Sequence, residues 1–272
     1  MSYLINKHAN THFTAGNGQP CNIDMQALET ALILTNTKLK KLSKFEVEED
    51  MDIYPTLGMR NLSGFIGETF VKNFVKSSNG MFLKNPHQDG YPDMLLMDVL
   101  GRAAYQVIAL LNKLRDKAPF SPFQNGGIEV KATCGYVPMP AYYTKRNLLK
   151  PDMGDTRIDL MKGYGWSAHH RETTNLIGVF WDFNENRVPQ IVALFFGNSI
   201  NQSDWGNVSV PKVGSRTTNA AGMTRTGVKK MYDNWLIVKD DSRYVDFLNR
   251  YNHGNLIGYQ TQTDDVQSTH AA

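Results

Sequence analysis

Apolar positions recur at helical spacing from Asp24 to Lys44, where Met25, Leu28, Ala31, Leu32, Leu39 and Leu42 share a face and Asp24 stands as an N-cap. The same spacing predicts a second helix from Asn61 to Ser77, capped by Ser63, with Phe65, Ile66, Phe70, Phe74 and Val75 as its apolar side. The turn Ser78-Asn79-Gly80 then leads into a short strand, Met81 to Leu83. From Tyr91 to Leu100 the chain starts with a proline and turns apolar, which predicts a buried strand with Asp93 near its beginning. Arg102 to Arg115 reads as a helix with Ala103, Val107, Leu110, Leu111 and Leu114 on one side. Gly126-Gly127 opens a β-branched strand, Ile128 to Thr133. Leu176 to Phe183 and Gln190 to Phe196, joined by Asn184-Glu185-Asn186, are almost continuously apolar, so both faces of each are expected to be buried.

Strands alternating with helices predict an α/β fold with a central mixed sheet flanked by helices. No internal repeat or low-complexity linker divides the 272 residues, so one domain over 1–272 is expected. Two cysteines, Cys21 and Cys134, are too few for a disulfide framework or a four-ligand zinc site. Met1 to Gly18 is polar, and no apolar run approaches the roughly 18 residues that span a bilayer. A soluble protein of a reducing cytoplasm, with no membrane partner, is the expectation.

The net charge of +3 says little, but its distribution says more. Lys38 to Lys44 is basic, and Glu46 to Asp52 holds five carboxylates. Between Trp205 and Tyr232 stand Lys212, Arg216, Arg225, Lys229 and Lys230 with no acid among them. That stretch suits a polyanion, or is a solvated loop that lacks acids.

Candidate chemistry lies in two short strings, Tyr91-Pro92-Asp93 and Ile128-Glu129-Val130-Lys131-Ala132. Glu129 and Lys131 are two apart on a strand and share a face, while Ile128, Val130 and Ala132 turn to the core. An acid and a lysine on one side of an apolar strand are costly unless they serve something. Asp93 on a neighbouring strand would complete two carboxylates and an ammonium around one point. Two carboxylates make a hard-oxygen site for Mg²⁺, to which the Val130 carbonyl could add an oxygen. Lys131 could orient, and help deprotonate, a water attacking phosphorus.

Pro92-Asp93 followed 36 residues later by Glu129-Val130-Lys131 resembles the PD-(D/E)xK nuclease superfamily, above all type II restriction endonucleases. The motif covers five residues. The resemblance implies a restriction-endonuclease-like core over about 60–200, with Asp93 and Glu129 as metal ligands and Lys131 as the catalytic lysine. Many members carry an acid on a helix before the Pro-Asp strand. Glu68, in Gly64-Phe65-Ile66-Gly67-Glu68, is the candidate, with both glycines letting the helix approach the sheet. The implied activity is Mg²⁺-dependent, sequence-specific hydrolysis of double-stranded DNA, leaving a 5′-phosphate. A homodimer acting on a symmetric site and a companion DNA methyltransferase in a bacterial host are implied with it.

DNA contacts are expected from Lys145-Arg146-Asn147, after the catalytic strand, and from the segment 205–232. In that segment Arg216, Thr217, Thr218, Asn219 and Arg225 supply donors suited to bases and phosphates. His169 and His170 read as structural, or as contacts to phosphate. Asp155 and Asp159 read as helix-initiating or solvated acids, Cys134 as a buried thiol, and the tryptophans as anchors. Two alternatives stay open: a structure-selective repair or junction-resolving nuclease with the same catalytic residues, and a non-catalytic DNA-binding protein in which Glu129 and Lys131 are a plain salt pair.

Overall fold

The computed structural model describes residues 2–88, 90–168, 174–208, 221–251 and 257. The chain opens with β1 (Tyr3–Ile5) and a small hairpin of β2 (His12–Thr14) and β3 (Pro20–Asn22). Helices α1 (Met25–Glu48) and α2 (Ile53–Ser77) follow, then β4 (Phe82–Lys84), β5 (Met94–Leu96), α3 (Val99–Leu110), β6 (Gly127–Thr133) and α4 (Pro140–Arg146). Beyond them come β7 (Ser167–Ala168), β8 (Leu176–Phe183), β9 (Pro189–Gly197), β10 (Ala221–Gly222), α5 (Arg225–Asp233), β11 (Trp235–Lys239) and α6 (Ser242–Tyr251).

Seven strands form one mixed sheet in the order β1-β11-β9-β8-β6-β5-β4. Within it β6 and β8 run parallel, and every other neighbouring pair is antiparallel. The fold is therefore α/β with a central mixed sheet and six helices among the described residues.

Alternation along β8 divides the core. Ile177, Val179, Trp181 and Phe183 pack beneath α1 and α2, whereas Leu176 and Phe180 join Tyr164, Trp166, Val228 and Phe247 on the other face. All residues of β8 and β9 are buried, as their unbroken apolar runs predict. Asp24 caps α1 by accepting the Gln26 N–H at 2.9 Å, and the helix buries Leu28, Ala31, Leu32 and Leu39.

Three local expectations are corrected. Helix α2 starts at Ile53, with a break at Gly58 (φ 67°), so Ser63 lies inside it. The Ser63 hydroxyl donates to the Met59 carbonyl and accepts the Trp181 indole N–H at 3.0 Å. The apolar run after Asp93 is a strand only to Leu96. Asp98, an N-cap type, accepts the Gly101 N–H at 2.8 Å and starts α3 at Val99 rather than Arg102. Finally, α3 ends at Leu110 rather than Arg115, and Val107, Leu110 and the C-cap Leu111 are exposed, Leu110 at 82%. Helical periodicity marks an apolar side but does not say what covers it. No helix among the described residues is long and apolar enough to cross a membrane.

Candidate active site

Asp93 lies one residue before β5. The antiparallel register Met94↔Ile128 brings it opposite Glu129 on β6. The Asp93 N–H donates to Glu129 Oε2 at 3.0 Å, and the Val130 N–H donates to Asp93 Oδ2 at 2.8 Å. Each acid is thus held by the backbone of the other's strand. In an extended strand the N–H and C=O of one residue point the same way, so the Val130 carbonyl also faces the side of Asp93.

Ile128 and Val130 belong to the core under α1 and α2, so Glu129 and Lys131 point to the opposite face. Lys131 Nζ sits 2.5 Å from Glu129 Oε1 and 3.9 Å from Asp93 Oδ2. The predicted trio of Asp93, Glu129 and Lys131 is brought together. Glu129 is buried, and the other two are mostly so.

Burial, then the neighbouring Glu129 charge, pushes the Asp93 carboxyl up to about 7, against the pull of Lys131 and the Val130 N–H. Burial disfavours the charged form of Lys131, yet Glu129 and Asp93 together hold its ammonium above the usual lysine value. Two carboxylates thus face one ammonium in a largely buried corner.

Two features that the sequence reading missed shape this corner. Buried Asn85 donates to the carbonyls of Pro92 (2.9 Å) and Phe120 (3.0 Å), while its own N–H bonds the Asp93 carbonyl at 2.9 Å. It fixes the turn into Asp93, and nothing in the sequence around it marks it. Gly127 has φ 152°, and a Cβ there would lie 1.9 Å from the Met94 carbonyl oxygen, so only glycine lets β5 and β6 meet here.

Glu68 on α2 is placed outside the carboxylate pair and forms an ion pair with Lys84 of β4, a residue the motif did not mark. Its charge still acts on Asp93 and Lys131. Gly67 lies against Ala132 of β6, where a Cβ would be at 3.6 Å, but nothing approaches Gly64, so one glycine of the two serves close packing. Among the described residues no group of three or more His, Cys, Asp or Glu side chains is arranged to hold a metal. The fit for Mg²⁺ therefore rests on two carboxylates and the Val130 carbonyl. That suits an ion which keeps several waters and engages phosphate.

Of the expected DNA contacts, Lys145, Arg146 and Asn147 are exposed at the end of α4, with Asn147 left-handed (φ 51°) and Arg146 stacked 4.1 Å over Tyr142. Arg225 is the first residue of α5 and is exposed. Arg216, Thr217, Thr218, Asn219, His169 and His170 lie outside the described residues. Asp155 pairs with Arg187 and Asp159 sits in a single 3-10 turn, so the two share no α-helical face. Cys134 is half-buried, and burial pushes its thiol up, away from thiolate chemistry. The four tryptophans are buried anchors. Comparison of the chain with family models, with curated proteins and with solved structures finds no match.

Proposed function

We propose that the protein is a Mg²⁺-dependent endonuclease of the PD-(D/E)xK type, with a restriction-endonuclease-like core, cutting double-stranded DNA at specific sequences. The observation that carries this reading is the meeting of Asp93 and Glu129 across adjacent strands, with Lys131 Nζ reaching both. Two buried acids side by side cost stability, and a plain i, i+2 salt pair would need only one of them.

Asp93, Glu129 and the Val130 carbonyl would hold the Mg²⁺, which supplies Lewis-acid stabilisation of charge on the phosphate. Lys131, kept as an ammonium, is a donor rather than a base. It orients the attacking water and answers the negative charge growing on the phosphoryl oxygens. The water oxygen bonds to phosphorus as the bond to the 3′ oxygen breaks. The water loses a proton and the 3′ oxygen gains one, leaving a 5′-phosphate and a 3′-hydroxyl.

Cutting both strands at a symmetric site calls for two copies related by a two-fold axis. The uncovered apolar side of α3 supports a second copy packing there, since a two-fold lays the same stripe upon itself. A companion methyltransferase and a bacterial cytoplasm belong to the same reading. The 2.5 Å Glu129–Lys131 contact favours the rival, a non-catalytic DNA-binding protein, only if Asp93 is idle.

Digestion of plasmid and bacteriophage DNA with Mg²⁺ and with EDTA tests the proposal. Discrete Mg²⁺-dependent fragments are expected. Cuts confined to branched or damaged substrates would favour the repair or junction-resolving nuclease. Intact DNA throughout would overturn the catalytic reading.

A further inference from the structure

A cleft of about 690 Å³ opens between the loop at Met161–Lys162 and the helices α5 and α6. Lys162, Arg225, Lys229 and Arg250 line it, over the rings of Phe247 and Tyr251, and no carboxylate does so among the described residues. Lys229 is answered by Asp233 at 2.5 Å, but Lys162, Arg225 and Arg250 make no ion pair among the described residues. Phe247 and Tyr251 stack at 5.9 Å, and the Tyr251 hydroxyl donates to the Tyr164 carbonyl at 3.3 Å, so the floor is fixed. Arg225 opens α5, whose N-terminal N–H groups add positive potential at the rim.

The cleft is tied to the catalytic strand. Beyond β6, the Tyr136 N–H bonds the Gly163 carbonyl at 2.7 Å, and the Lys162 N–H bonds the Tyr136 carbonyl at 2.8 Å. Phe247, Val228 and Met161 belong to the core layer on the face toward which Glu129 and Lys131 point. Lys162 also stands 4.6 Å over the Tyr142 ring, which Arg146 shares at 4.1 Å. A basic track thus runs from α4 through Lys162 into the cleft.

We propose that this cleft binds the phosphodiester backbone of the DNA outside the scissile position, with Lys162, Arg225 and Arg250 as its phosphate contacts. The identity of the polyanion rests on the nuclease reading, whereas the cleft's charge does not. Convergent cations without acids, on an aromatic floor, suit consecutive phosphates of a strand better than an isolated anion.

The test is binding of a short labelled duplex in EDTA, read by fluorescence anisotropy over a salt series. The proteins are the wild type, Arg225→Ala/Arg250→Ala and Lys162→Glu. Both cleft variants replace exposed side chains, and their thermal unfolding should match the wild type. The double variant should bind about tenfold or more weakly, with the slope of log K against log salt reduced by about 2. Lys162→Glu should weaken binding in the same sense. Unchanged affinity and slope in the double variant would overturn the proposal. Because this binding is read without metal, its failure is separate from a failure to cleave.

Discussion

The Asp93 N–H donates to Glu129 Oε2 at 3.0 Å, so the first acid of the motif holds the second through its own main chain. The Asp93 carboxylate in turn accepts the Val130 N–H at 2.8 Å. This reciprocal arrangement fixes both acids before any ligand arrives, which is what a preorganised site requires. It also keeps two like charges together in a partly dry corner.

That repulsion should be visible as a trade of stability for function. Asp93→Asn keeps an acceptor for the Val130 N–H and removes one charge. Above neutral pH it should raise stability by about 1–3 kcal/mol, a few degrees in Tm, while abolishing cleavage. Thermal unfolding and digestion of the same preparation check both halves. A less stable variant would mean that the Asp93 charge is compensated, contrary to the pKa of about 7.

Glu68 should matter less than the pair. Its partner is Lys84, and it reaches the cluster by charge alone. Glu68→Gln should therefore slow cleavage by about ten- to a hundredfold, and Glu129→Gln by a thousandfold or more. Single-turnover rates at saturating Mg²⁺ distinguish them, and equal losses would make Glu68 a ligand in its own right.

Much of this corner was legible. Asp24 announced α1, the unbroken apolar runs announced β8 and β9, and the i, i+2 spacing put Glu129 and Lys131 on one face. What failed was long-range or hidden by composition. Asp98, a visible cap, lost to an apolar run that extended β5 too far. β1 pairs with β11 across almost the whole chain, and neither segment carries a sign of the other. Asn85 and Lys84 act through partners that only folding supplies. The cleft assembles Lys162, Arg225 and Arg250 from three segments, and of these only Arg225 stood in a stretch with a marked charge bias.

Asp182 gives a pH dependence of folding. Fully buried, it accepts the N–H groups of Arg157, Ile158 and Phe183 and the Tyr244 hydroxyl, yet burial pushes its carboxyl up to about 6. The folded protein holds that proton to higher pH than the unfolded chain does. Stability should therefore fall as pH rises from about 4 to about 6, by on the order of 2–3 kcal/mol from this group. Asp93 acts in the same sense up to about 7. Asp182→Asn should lower stability overall but flatten the slope in urea unfolding across that window. A slope equal to that of the wild type would contradict the assignment.

The exposed side of α3 should hold the dimer together. Light scattering should give twice the chain mass for the wild type and a single chain for Leu110→Glu, with helix content unchanged because Leu110 touches little of its own fold. A wild-type monomer at working concentration would remove the two-copy arrangement.

The central claim is that Lys131 acts with Asp93 and Glu129 in hydrolysing DNA. The most direct measurement compares wild type and Lys131→Ala for cleavage of one plasmid in Mg²⁺, with duplex affinity measured in parallel in EDTA. Discrete fragments bearing 5′-phosphates from the wild type, and none from a variant that binds DNA equally well, is the expected result. Cleavage by the variant at the wild-type rate, or no cleavage by either, would contradict the account.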